Sequence, residues 1–126
     1  MKKILIVDDH ADIRKLLRMT MEFVAYEIFE ATDGSDALRL AEELQPDLVL
    51  LDVMMPGGLD GLEVCRRIRA NVALRHAKVI LLTARGQSED RAAGFAAGAD
   101  EYLIKPFSLL QLIETIHRLE EGTGEP

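Results

Sequence analysis

Four places in the chain carry residue types that do chemistry on charged oxygen groups: Asp8-Asp9, Asp52, Thr83-Ala84 and Lys105-Pro106. Each follows an apolar run: Ile4 to Val7, Leu48 to Leu51, Val79 to Leu82, and Tyr102 to Ile104. Singly, each has an ordinary structural account. Asp8 or Asp9 would cap a helix beginning near Asp12, Asp52 and Thr83 would serve turns, and Lys105 would be a surface charge. Together they describe a site. Three carboxylates at the ends of neighbouring strands repel one another unless a cation or a proton lies between them. Oxygen donors suit a hard ion, and Mg²⁺ takes one or two carboxylates, keeps several waters and shares the remaining positions with a phosphate. A lysine in the same cleft neutralises phosphoryl oxygens as a point charge, and a threonine hydroxyl donates to another. The chemistry that uses all of these is phosphoryl transfer.

The elements that must position these residues show as periodicity. The runs at Ile4, Leu48 and Val79 are β-rich and uninterrupted, as in strands covered on both faces. Tyr26 to Ala31 and Tyr102 to Ile104 are weaker strand candidates. Ile13, Leu16, Leu17, Thr20 and Val24 recur at helical spacing, as do Ala37, Leu38, Ala41 and Leu44. Leu62, Cys65 and Ile68 mark a third helix, and Leu109, Leu112, Ile113 and Ile116 the last. A fourth, around Glu89 to Ala97, is rich in Ala and Gly, has Phe95 as its large anchor, and should be the least firmly held. Strands alternating with helices predict an α/β fold with a parallel sheet, helices on both faces and right-handed crossovers. In such sheets ligands sit outside the carboxyl ends of the strands, where the four stretches lie.

Composition sets the outer bounds. A chain of 126 residues with 48% hydrophobic content supports one core and one domain. A net charge of -7 disfavours unaided, direct nucleic-acid binding, which draws its affinity from neutralising phosphates. The single cysteine, Cys65, excludes an intramolecular disulfide and reads as a core residue. No apolar run is long enough for a membrane span or a secretory signal, so a cytoplasmic location is expected. His10, His76 and His117 are scattered and read as surface residues.

The ordered set Asp8-Asp9, Asp52, Thr83-Ala84 and Lys105-Pro106-Phe107 resembles a bacterial response-regulator receiver domain, from about Lys2 to about Leu119. The resemblance implies a flavodoxin-like, doubly wound five-stranded parallel sheet in the order 2-1-3-4-5. It implies a receiver over residues 1–120, with 121–126 as a tail or the start of a linker. Asp52 matches the phosphoacceptor. Mg²⁺ would be held by Asp9 directly, by Asp8 through water, by Asp52 and by the Met54 backbone carbonyl. Lys105, the Thr83 hydroxyl and the Ala84 amide would contact the phosphoryl group, and Thr83 with Tyr102 would form the conformational switch. A Lys105–Pro106 cis bond is implied as well. Met54 and Arg85 match the positions that tune phosphoryl lifetime, and an apolar methionine holds an attacking water poorly, so unusually fast hydrolysis is not expected. The implied partners are a sensor histidine kinase or phosphotransfer protein and a downstream target or fused output domain; a phosphorylation-dependent homodimer also fits. Such a module is a signalling switch rather than a turnover enzyme.

One feature departs from the family pattern: Gly57-Gly58 reads as a one-residue insertion between Pro56 and Asp60-Gly61, beyond Met54, and alters the surface over the site. Two rivals share the fold class. A Mg²⁺-dependent phosphohydrolase usually carries a second aspartate two residues after its nucleophile, where this chain has Met54. A flavin-binding electron carrier needs a Ser/Thr/Gly-rich phosphate loop after the first strand, where this chain has Asp8-Asp9-His10.

Overall fold

The computed structural model describes residues 2–22, 24–55, 57–84 and 88–122. The elements alternate along the chain as β1 (Lys2–Val7), α1 (Ala11–Met21), β2 (Tyr26–Ala31), α2 (Gly34–Leu44), β3 (Leu48–Asp52), α3 (Gly61–Ala70), a 3₁₀ turn (Val72–Leu74), β4 (Lys78–Thr83), α4 (Ser88–Ala96), β5 (Glu101–Ile104) and α5 (Leu109–Gly122). The five strands pair in parallel in the order β2-β1-β3-β4-β5, as the resemblance implied. The uninterrupted apolar strands take the three central places, and the mixed ones, β2 and β5, take the edges. Among the described residues, no helix is long and apolar enough to cross a membrane.

Alternation along the strands divides the interior in two. Leu5, Val7, Val49, Leu51, Val79 and Leu81 pack against Ala37 and Ala41 of α2 and Val64, Cys65 and Ile68 of α3. Ile4, Ile6, Leu48, Leu50, Ile80 and Leu82 face Leu17 and Met21 of α1 and Leu112 and Ile116 of α5. Burying a side chain of this size contributes about 1.5–3 kcal/mol, so neither face is dispensable. Cys65 lies in the first core, and burial pushes its thiol up to about 11. The same alternation places Asp52 on the face of Leu50, and Thr83 on the face of Leu81.

Helix starts explain how the loops are set. Asp33 accepts from the Asp36 amide at 2.8 Å, and Asp60 from the Glu63 amide at 2.9 Å. Ser108 and Gln111 cap α5 reciprocally: Gln111 accepts from the Ser108 amide, and Ser108 Oγ from the Gln111 amide. By contrast α1 is capped by neither Asp8 nor Asp9. Its N-cap is His10, which makes no side-chain capping bond. The ordinary account of the aspartate pair therefore fails.

Two expectations about helices need correction. Phe95 does not anchor α4: it is 43% exposed, and among the described side-chain positions of α4 only Gly94 is buried. A Cβ on Gly94 would meet the Tyr102 ring at 2.8 Å and Leu81 at 3.1 Å. The helix thus approaches the sheet through its smallest residue, which leaves Phe95 outside beneath Arg91 at 5.9 Å. Leu16 and Leu109 are likewise exposed despite their helical spacing, and α1 ends before Val24.

Candidate functional site

Asp8 follows β1 and is fully buried. Its Oδ1 accepts from both the backbone amide and the Nδ1 of His10, each at 2.9 Å. Its Oδ2 accepts from Lys105 Nζ at 3.2 Å. The Asp8 carbonyl accepts from the Arg14 guanidinium at 2.8 Å, and Arg14 Nε in turn pairs with Glu30 at 3.1 Å. Asp52 ends β3 and is 3% exposed, with Lys105 Nζ 3.5 Å from its Oδ1. Lys105 follows β5, preceding a cis peptide bond to Pro106. Its backbone amide donates to the Thr83 carbonyl at 2.7 Å.

The electrostatics follow from this packing. Burial raises the Asp52 pKa above its ordinary value, and the neighbouring Asp8 charge adds to it; Lys105 and the Met54 amide oppose the rise. Asp9 is less enclosed, yet its Oδ1 is buried without a hydrogen-bond partner, 3.2 Å from His10 Nδ1. Donor atoms of Asp8, Asp9, His10 and Asp52 all lie within 4.8 Å of one another. Three carboxylates thus face one ammonium, and one of their oxygens is a buried acceptor left unmatched. A hard divalent cation satisfies both the charge and the orphaned acceptor, so the residues fit Mg²⁺.

Over residues 4–117 the chain matches the response regulator receiver domain. The chain belongs to the response-regulator receiver family. This receiver is 48% identical over 117 residues to the transcriptional regulatory protein ResD of Bacillus subtilis, covering 93% of this chain and 47% of the relative. It is 40% identical to the DNA-binding dual master transcriptional regulator RpaA of Synechocystis, covering 98% and 51%. The chain therefore spans about half the length of these curated relatives. Among solved structures it resembles the Vibrio cholerae chemotaxis protein CheY4 with a TM-score of 0.86 at 33% identity, covering 94% of this chain and 98% of that one. It also resembles the receiver domain of the Pseudomonas aeruginosa sensor histidine kinase PA1611, which has magnesium coordinated in its active site cleft. That match has a TM-score of 0.83 at 32% identity and covers 93% of this chain and 95% of that one.

The receiver's other expected site residues are distributed as follows. Thr83 is buried at the end of β4, and Ala84 follows it, lining an apolar groove with Ile13, Leu16 and Lys105. Tyr102 is 4% exposed on β5, opposite Leu81 and beneath the Arg91 guanidinium at 5.4 Å. Met54 is 52% exposed, and its amide donates to Asp52. Arg85 and Pro56 lie outside the described residues. Gly57 adopts φ 90°, and nothing crowds it or Gly58. Two participants escaped the sequence reading: His10, exposed but in contact with the carboxylates, and Arg14, which reads as a solvent charge on α1. The only sequence signal for His10 was its place directly after the aspartate pair.

Proposed function

We propose that this receiver is a phosphorylation-dependent switch in which an Asp52 carboxylate oxygen attacks phosphorus and accepts the phosphoryl group from the phosphohistidine of a sensor kinase or phosphotransfer protein. An O–P bond forms as the histidine N–P bond breaks, and the leaving imidazole takes up a proton. The observation that carries this reading is the buried Asp52 carboxylate with Lys105 Nζ at 3.5 Å and unmatched carboxylate oxygen beside it. Asp9, Asp52 and the Met54 carbonyl would hold Mg²⁺, with Asp8 acting through water. When bound, Mg²⁺ would supply positive charge to the phosphoryl oxygens.

The chain's own residues supply the rest. Asp52 arrives at the strand end with its orientation fixed by burial, which is the positioning that phosphoryl transfer chiefly needs. Lys105 exchanges its contacts with Asp8 and Asp52 for a phosphoryl oxygen, and the Thr83 hydroxyl and Ala84 amide donate to others. Thr83 lies on the same sheet face as Tyr102, so a shift of Thr83 changes the space open to that ring. The α4-β5-α5 surface then reports the state as a population shift, either to a downstream target or output domain or to a second copy. Met54 and Arg85 tune the lifetime, which we place above a few seconds in neutral solution with Mg²⁺. We place the receiver at residues 1–120, with α5 continuing through Gly122.

Transfer from a labelled phosphohistidine domain tests this reading. Wild type takes up label and Asp52→Asn does not; equal labelling of the two proteins would overturn it.

A further inference from the structure

The acidic cluster holds one donor that an all-oxygen Mg²⁺ site does not need. The His10 amide and ring nitrogen both engage Asp8 Oδ1 at 2.9 Å, so the ring stands with Nδ1, not Nε2, turned to the carboxylates. The same Nδ1 lies 3.2 Å from the orphaned Asp9 Oδ1. Ligands bound at about 2.0–2.1 Å to one ion stand about 2.9 Å apart at an octahedral edge and about 3.3 Å apart in a tetrahedron. The 3.2 Å between His10 Nδ1 and Asp9 Oδ1 falls in that interval. The remaining Asp8 oxygen is held by Lys105, whereas Asp9 Oδ1 is open to a metal.

Resting on the reading of this cluster as a divalent-cation site, we propose that His10 Nδ1 joins Asp9 and Asp52 as a ligand for a late first-row divalent metal, with Zn²⁺ as the probe. Imidazole nitrogen raises affinity along the Irving–Williams series, whereas Mg²⁺ gains nothing from it. On binding, Nδ1 gives up its proton to solvent, and the Nδ1–H···Oδ1 bond is exchanged for an Nδ1–metal bond. Nε2 takes the ring's single proton from solvent or keeps it, so the ring coordinates as its Nε2–H tautomer. The side chain is 59% exposed, so Nε2 can keep its proton in solvent contact. An additional protein ligand takes a position that solvent would otherwise fill, so Zn²⁺ competes with Mg²⁺ for the cluster.

Calorimetric titration of the full chain with ZnCl₂ and MgCl₂ tests this for wild type, His10→Ala, His10→Gln and Asp9→Asn. Both His10 variants should lose Zn²⁺ affinity by roughly tenfold or more, and change Mg²⁺ affinity by less than about threefold. With Co²⁺, proton NMR of wild type should show a hyperfine-shifted imidazole N–H that His10→Ala lacks. Equal Zn²⁺ affinity in wild type and both His10 variants overturns the assignment. So does a shifted imidazole signal that persists in His10→Ala, which would place the metal at His76 or His117. If Asp9→Asn loses Mg²⁺ while the His10 variants keep Zn²⁺, only the His10 role falls. If Asp9→Asn binds both metals as wild type does, the cation site itself is refuted.

Discussion

Arg14 and Glu30 form a 3.1 Å ion pair behind the acidic pocket, and the same guanidinium holds the carbonyl of Asp8 at 2.8 Å. Glu30 also accepts from Arg18 Nε at 2.7 Å, so one carboxylate on β2 ties down two turns of α1. The hydrogen bond from Arg18 is the main reason the Glu30 carboxyl sits below its ordinary value of 4.5; burial opposes it and Arg14 adds to it. A carboxyl depressed in the folded state stabilises fully above its unfolded value, and that contribution is lost as pH falls through the lower folded value. Glu30→Gln should therefore melt below wild type at pH 6–8, by on the order of 0.5–1 kcal/mol for so exposed a cluster. The gap should close as pH falls below 4.5. Thermal melts across this range check it, and a gap that widens in acid would contradict it.

Gly94 and Tyr102 set how closely α4 packs on the sheet. A methyl group at Gly94 gains about 1 kcal/mol of helix propensity but meets the ring at 2.8 Å, and overpacking costs about 1–3 kcal/mol. Gly94→Ala should be neutral to destabilising by up to about 2 kcal/mol, and adding Tyr102→Ala should cancel the steric cost, exposing a non-additive coupling. Denaturant melts of the four-member cycle measure this. Strict additivity would show that the ring does not confine the helix.

The charge frustration at Asp52 has a thermodynamic signature. Burial, then the Asp8 charge, raises its pKa, so the ionised folded protein pays a penalty that appears as pH rises above 3.8 and is complete above the folded pKa. Asp52→Asn should melt above wild type at pH 7 without divalent ions, and the difference should vanish in acid. Mg²⁺ should raise the wild-type melting point by mass action, with about 2.7 kcal/mol at about 100 times its Kd. It should raise that of Asp52→Asn less, and EDTA should reverse both. A variant that melts below wild type at pH 7 would contradict the account.

The central strands were legible because burial on both faces forces an uninterrupted apolar run, as in Leu48–Leu51. Their ends were not, since backbone pairing continues through Lys2, Lys78 and Thr83 regardless of polarity. The 3₁₀ turn at Val72–Leu74 is set by Asn71 accepting from the Ala73 amide, too local to leave a periodic trace. Phe95 misled because size suggested an anchor where close approach demanded a glycine. The aspartates, lysine and threonine of the site stood out as polar ends of apolar runs. Arg14 and His10 did not. Glu30 reaches Arg14 only through the pairing of β2 with β1, where Glu30 stands opposite Ile6, and His10 meets the carboxylates through the local turn in which its amide and Nδ1 bond Asp8.

Incubation with acetyl phosphate and Mg²⁺, followed by intact mass, is the most direct measurement of the central claim. Wild type should gain one phosphoryl mass, and no gain should occur when EDTA is present from the start or in Asp52→Asn. An unmodified wild type, or an Asp52→Asn variant labelled to the same extent, would contradict the assignment of Asp52 as the phosphoacceptor.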